Sequence, residues 1–184
     1  MTIILLGDGC SISWLTQTMG FKREDSPFEW FRGDHFKDIN HVIKNINTIQ
    51  IVPYKFPGNI CYENTDIFSS HYTLNQFFDI SKRRLNRFID DIKNNNTITF
   101  LRRDYYNTGI SLCEYNEFKS LIKDINSNCN FKIYLFRTKP HEEYDENIIV
   151  KQVEVNTAEE PKESKKNKED IDMWDNILKE IYSN

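Results

Sequence analysis

The chain has 184 residues, 39% of them hydrophobic and 14% aromatic, which supplies a core for one packed domain and excludes global disorder. Lys and Arg total 24 against 28 Asp and Glu, a net charge of −4, which argues against binding nucleic acid by bulk charge alone. No apolar run approaches the roughly 18–20 residues of a membrane span, and the opening MTIILLGDGC lacks the basic region of a secretory signal. The expectation is an intracellular, cytoplasmic protein with no membrane partner.

Thr2–Leu6 (TIILL) is a short, β-branched apolar run closed by Gly7, the pattern of a buried parallel strand. Gly7-Asp8-Gly9 reads as a turn. Cys10–Met19 then carries Trp14, Leu15 and Met19 at helical spacing, with Gly20 as its stop. Phe21–Phe36 reads as a loop rich in aromatic residues. A helix is expected over His35–Asn45 and a second strand over Thr48–Pro53. Residues 54–70, broken by Pro57, Gly58 and Asn59, look irregular.

The spacing of Leu74, Phe77, Phe78, Leu85, Phe88, Ile89 and Ile92 predicts a long helix over Leu74–Lys93. Its basic residues Arg83, Arg84 and Arg87 read as a solvated face or as a clamp on neighbouring loops. Thr97–Leu101 is a third strand, ended by Arg102-Arg103-Asp104. Glu114–Ile125 is a helix, Phe131–Phe136 a fourth strand and Ile148–Val155 a fifth. Residues 156–170 (NTAEEPKESKKNKED) hold no large apolar side chain and read as a charged linker. Beyond it, Ile171, Trp174, Leu178 and Ile181 share one helical face, so the C-terminal segment 171–184 is expected to dock back on a single domain of residues 1–155.

Strands alternating with helices predict an α/β fold: a mostly parallel sheet of about five strands with helices on both faces, in three layers. Sites in such sheets lie at the carboxyl ends of the strands. Here those ends offer Gly7–Cys10 and Arg102–Asp104.

The four cysteines are Cys10, Cys61, Cys113 and Cys129. None forms a Cys-x-x-Cys pair, so neither a structural metal nor a cofactor is expected, and free thiols are the default. Cys61, Cys113 and Cys129 read as buried small hydrophobes. Cys10 stands at the first turn of a helix, where free N–H groups and the helix dipole favour a thiolate and an oxyanion. Gly7 and Gly9 permit close substrate approach there, and Asp8 lies between them.

A thiolate nucleophile needs a base. His71, in a loop directly before the long helix, is the candidate, its alternative being a capping or surface role. His141 reads as an exposed loop residue, and His35 and His41 lie near a surface helix, six apart, which is not a metal-ligand spacing on one helix face. Asp104 is the candidate to orient the imidazole, with Asp79 and Asp8 as rivals and a plain turn role as the alternative. Arg102 or Arg103 is placed to hold a substrate carboxylate or phosphate, or to form a surface ion pair. Trp30 is placed to line the cleft wall. GDGC also invites comparison with Gly-Asp-Ser-Leu hydrolases, but Gly9 stands where that motif has serine.

The segment LLGDGCSISWLTQTMGFKREDSPFEWF resembles the opening motif of a papain-like cysteine peptidase family of large DNA viruses and bacteria. The matching residues are Leu6-Gly7-Asp8-Gly9-Cys10, Gly20, and Ser26-Pro27-Phe28-Glu29-Trp30. His71, then Arg83-Arg84-Leu85-Asn86-Arg87-Phe88, then Phe100-Leu101-Arg102, follow in the family's order. The resemblance covers roughly residues 2–137. It implies a cysteine hydrolase with Cys10 as nucleophile and His71 as base, acting on a peptide or protein substrate. A protein-interaction module on the same fold is the second expectation, and a phosphoester site at Gly7–Gly9 and Arg102 a third.

Overall fold

The computed structural model describes residues 2–7, 13, 16, 17, 20, 25–104, 106–141, 145–153 and 165–183. Of the expected Cys10–Met19 helix, Ser13, Thr16 and Gln17 are helical, and the rest lies outside the described residues. In chain order the elements are β1 (Thr2–Leu5), α1 (Phe36–Lys44), β2 (Ile51–Pro53), β3 (Ile60–Tyr62), β4 (Phe68–Ser69) and α2 (Leu74–Asn94). They continue with β5 (Thr97–Arg103), α3 (Leu112–Ile125), β6 (Asn130–Arg137), β7 (Ile148–Gln152) and α4 (Lys165–Ser183).

The main sheet has the order β1-β5-β6-β7, with every neighbouring pair parallel. Leu5 lies opposite Leu101, and Arg103 opposite Phe136. The period-2 alternation of each strand sends its side chains to two separate cores. Ile4, Phe100, Ile133 and Leu135 face one side, where Val42 of α1, Phe88 and Ile92 of α2, and Phe118 and Ile122 of α3 pack. Ile3, Leu5, Leu101, Tyr134 and Phe136 face the other, covered by Leu178 and Ile181 of α4. The sheet is therefore sandwiched between helices, as an α/β fold requires.

One strand expected in this sheet is not in it. The Thr48–Pro53 segment forms β2, which pairs antiparallel with β3, and β3 pairs with β4, in a second sheet of three short strands. The parallel sheet thus has four strands, not five. The reason is burial: parallel strands need both faces covered, whereas Ile51 and Val52 are only half-buried and Pro53 is exposed. The stretch 54–70, expected to be irregular, supplies β3 and β4. A tight reversal joins β2 to β3, in which the Tyr54 N–H donates to the Asn59 carbonyl at 2.9 Å.

The helices start where their caps dictate. Thr73 and Gln76 form a capping box on α2, and Ser111 and Glu114 form one on α3. Asn126, just past α3, donates through Nδ2 to the Ile92 carbonyl at 2.9 Å and the Asn95 carbonyl at 3.2 Å, fastening the ends of α2 and α3 together. α4 begins at Lys165, so residues 165–170, read as linker from composition, are helical. Among the described residues no helix is long and apolar enough to cross a membrane.

Candidate active site

β1 delivers the chain to its carboxyl end at Leu6, whose N–H donates to the Leu101 carbonyl at 2.8 Å. Gly7 follows in the left-handed region at φ 76°. A Cβ there would lie 3.2 Å from the Phe28 carbonyl oxygen and 3.4 Å from that of Phe31, so glycine answers both the backbone angle and the close approach. The approaching segment is the turn 26–31. Ser26 Oγ donates to the Leu5 carbonyl and accepts the Phe28 N–H at 3.1 Å. Tyr62 Oη reaches the Pro27 carbonyl at 2.7 Å. Phe28 itself packs edge-on against Phe88 of α2, ring centroids 6.0 Å apart.

Arg32 and Phe68 then exchange both backbone hydrogen bonds, each 2.8 Å, as an isolated antiparallel bridge. Antiparallel register carries the residues just before Arg32 alongside those just after Phe68. Trp30 therefore meets His71: their ring centroids are 5.3 Å apart at 59°. The same approach leaves no room beside Gly33, where a Cβ would fall 2.8 Å from Ile67 Cγ1. His71 is exposed, and its N–H donates to Ser69 Oγ at 3.1 Å.

α2 contributes the cations. Arg84 is buried, with Nη1 3.4 Å from the Glu29 carbonyl, Nη2 3.9 Å from the Glu29 carboxylate, and its guanidinium 5.7 Å from the Tyr72 ring centroid. Arg87 pairs with Asp25 at 3.2 Å in a half-exposed bridge. Of the two sequence readings for these arginines, the clamp describes Arg84. Arg83 is exposed.

Arg102 and Arg103 are buried, 1% and 2% exposed, so neither forms a surface ion pair. Arg102 Nη1 and Nη2 donate to the Leu6 and Gly33 carbonyls, both at 3.1 Å, and the guanidinium lies over the Phe36 ring. It borders a narrow gap shared with Gly7, Phe28 and Phe31, but its donors hold the protein's own backbone together. Asp104 is likewise turned inward. Its Oδ1 accepts the Thr108 N–H and Oγ1, and its Oδ2 accepts the Gly109 N–H and pairs with Arg137. The exposed position expected for His141 is corrected: it is half-buried, and Nε2 accepts the Ile110 N–H at 3.0 Å. Asp79 is exposed on α2.

Of the residues singled out from the sequence, the structure brings Gly7, Trp30 and His71 to one region at the end of β1, with Arg102 beneath. Asp104 serves its own loop. Asp8, Gly9 and Cys10 lie outside the described residues. Sequence reading missed the Arg32–Phe68 bridge, which leaves no trace in periodicity. The expectation of burial for Cys113 is corrected, since it is exposed; Cys61 and Cys129 are buried, and burial pushes both thiols above the usual range. Among the described residues no group of three His, Cys, Asp or Glu is arranged to hold a metal ion.

No family model matches the chain, and no solved structure is significantly similar to it. Over 42 residues, 23% of this chain, it is 43% identical to an uncharacterized protein of Acanthamoeba polyphaga mimivirus. The matched stretch is 19% of that viral protein's length, so the similarity covers a minor part of either chain.

Proposed function

We propose that the protein is a cysteine-dependent acyl hydrolase, with Cys10 as nucleophile, His71 as general base and a peptide or protein as substrate. The observation that supports this most is the Arg32–Phe68 bridge, which holds Trp30 against the His71 ring on the turn that Gly7 touches. Cys10 follows Gly7 by three residues, so chain length alone keeps its Cα within about 11 Å of Gly7.

In this reading His71 takes the thiol proton and the thiolate attacks the scissile carbonyl. The tetrahedral oxyanion rests on backbone N–H groups next to the nucleophile, as the sequence expectation of a helix N-terminus at Cys10 requires. His71 returns the proton to the departing amine, leaving an acyl-cysteine. Water, deprotonated by His71, then releases the acid and regenerates the thiol. Arg102 acts beneath the site by fixing the carbonyls of Leu6 and Gly33.

The test is competitive alkylation with limiting iodoacetamide at pH 6, read by peptide mass spectrometry. Cys10 should be labelled ahead of Cys113, the exposed reference thiol. Cys61 and Cys129, buried and with raised thiol pKa, should stay silent. His71→Ala should slow Cys10 while leaving Cys113 unchanged. Labelling of Cys10 no faster than Cys113 rejects the hydrolase and leaves the interaction module.

A further inference from the structure

Among the described residues three non-glycine positions have positive φ: Trp30 at 65°, Asn64 at 59° and Asn107 at 55°. Asparagine enters this region readily; a bulky aromatic residue does not. Such strain persists only where the surroundings impose it, and it gathers at functional sites. Among the described residues the apolar cores do not account for it here. Trp30 is half-buried and belongs to neither apolar core, while its neighbours Phe28 and Phe31 fill the larger one.

What imposes the angle is visible on both sides of the residue. Before Trp30, buried Arg84 holds the Glu29 carbonyl and carboxylate. After it, the Phe31 N–H donates to the Phe28 carbonyl at 3.2 Å and the Phe31 ring packs 4.8 Å from Phe77. With both neighbours committed inward, a left-handed Trp30 directs its indole the other way, onto His71. The same Arg84 guanidinium lies over the ring of Tyr72, the residue that follows His71. One buried cation thus touches both strands of the contact.

We infer that Trp30 is a positioning residue for His71. The Arg84–Glu29 pair locks Trp30 in a strained backbone conformation so that its indole restricts the imidazole of an otherwise exposed loop. This deepens the hydrolase reading and rests on it only for what the imidazole does.

The experiment is NMR of the full chain carrying ¹³Cε1-labelled histidine, with His35, His41 and His141 as internal reports on the fold. The His71 Cε1–H signal should be displaced by the indole ring current and sharpened into one environment. Trp30→Ala should remove the displacement, and Trp30→Phe should keep a substantial part of it. Arg84→Met should give the Trp30→Ala result; if that variant does not fold, Arg84→Lys should show a partial loss. Trp30→Gly, which accepts the same φ, should keep the thermal midpoint within a few degrees while losing the His71 displacement, an outcome that a packing role would not produce. An unchanged His71 signal in folded Trp30→Ala overturns the inference. The pH profile of Cys10 alkylation separates the two readings. If Trp30→Ala moves His71 but leaves that profile intact, positioning stands and the hydrolase falls.

Discussion

Arg137 and Asp104 form the most deeply buried ion pair among the described residues, Nη1 to Oδ2 3.3 Å, with side chains 5% and 1% exposed. The two partners are unequal. Asp104 also accepts three donors from Thr108 and Gly109, whereas Arg137 adds only the Asn107 carbonyl through Nη2 at 2.9 Å, and its Nε has no hydrogen-bond partner. The carboxylate is therefore the hub of the 104–109 loop, and the guanidinium depends on it.

Removing the two partners should consequently cost different amounts. Asp104→Asn strands a buried cation and should destabilise by about 3–5 kcal/mol. Arg137→Met leaves Asp104 with its three loop donors and should cost about 1–3 kcal/mol. Urea denaturation checks the order. In the folded protein neither change should alter Cys10 alkylation relative to Cys113, because Asp104 is bound to its own loop and not to the His71 ring. A selective loss of Cys10 reactivity in Asp104→Asn would restore Asp104 as the orienting acid.

Tyr115 makes stability sensitive to alkali. Burial, with the Asp145 and Glu146 charges adding to it, pushes its phenol up to about 12, while the Asn147 amide at 3.4 Å from Oη works the other way. The folded state thus holds this proton more tightly than the unfolded chain, whose tyrosine titrates near 10. The stabilising contribution is fully present below about pH 10 and is lost as pH rises from about 10 towards 12, by on the order of 1–2 kcal/mol. Burial also raises Tyr62, which adds to the same loss. Tyr115→Phe should flatten the decline across that window without abolishing it, and should cost about 1 kcal/mol at pH 7 through the lost hydrogen bond. An unaltered alkaline slope would show that Tyr115 does not carry it.

The helices and the parallel sheet were legible because their signals are local. The unbroken apolar run of Thr2–Leu6 marks a strand buried on both faces, and the spacing of Phe77, Leu85, Phe88 and Ile92 states which face of the helix is buried. The β2-β3-β4 sheet was not, since Ile60–Tyr62 and Phe68–Ser69 are too short to show a period, and backbone pairing defines them. Among the described residues, several that the sequence comparison singled out are in contact: Ser26 with Leu5, Phe28 with Phe88, Trp30 with His71, Arg84 with Glu29. What sequence left open was the direction of the charges. A buried arginine needs acceptors, and those of Arg102 are the carbonyls of Leu6 and Gly33, distant in sequence and invisible until the chain has folded. The same holds for Asp104, whose position at a strand end suited a catalytic acid but whose partners come from its own loop and from β6.

Gly7 and Gly58 allow the final prediction to separate strain from contact. Both have positive φ, 76° and 81°. A Cβ at Gly58 meets nothing within 4 Å, so Gly58→Ala bears only the backbone cost of the left-handed region, about 1–2 kcal/mol. At Gly7 the added methyl meets the backbone oxygens of Phe28 and Phe31 at 3.2 and 3.4 Å. Those atoms have no flexible side chain to move aside; the whole 26–31 turn must shift, against Ser26 on Leu5 and Phe28 in the core. Gly7→Ala should therefore destabilise by about 1 kcal/mol more than Gly58→Ala in urea. Because the shift moves the turn that carries Trp30, it should also slow Cys10 alkylation several-fold relative to Cys113, which Gly58→Ala should leave unchanged. Equal stability losses for the two variants, with equal Cys10 reactivity, would mean that the turn yields freely and that the approach at Gly7 has no bearing on the site.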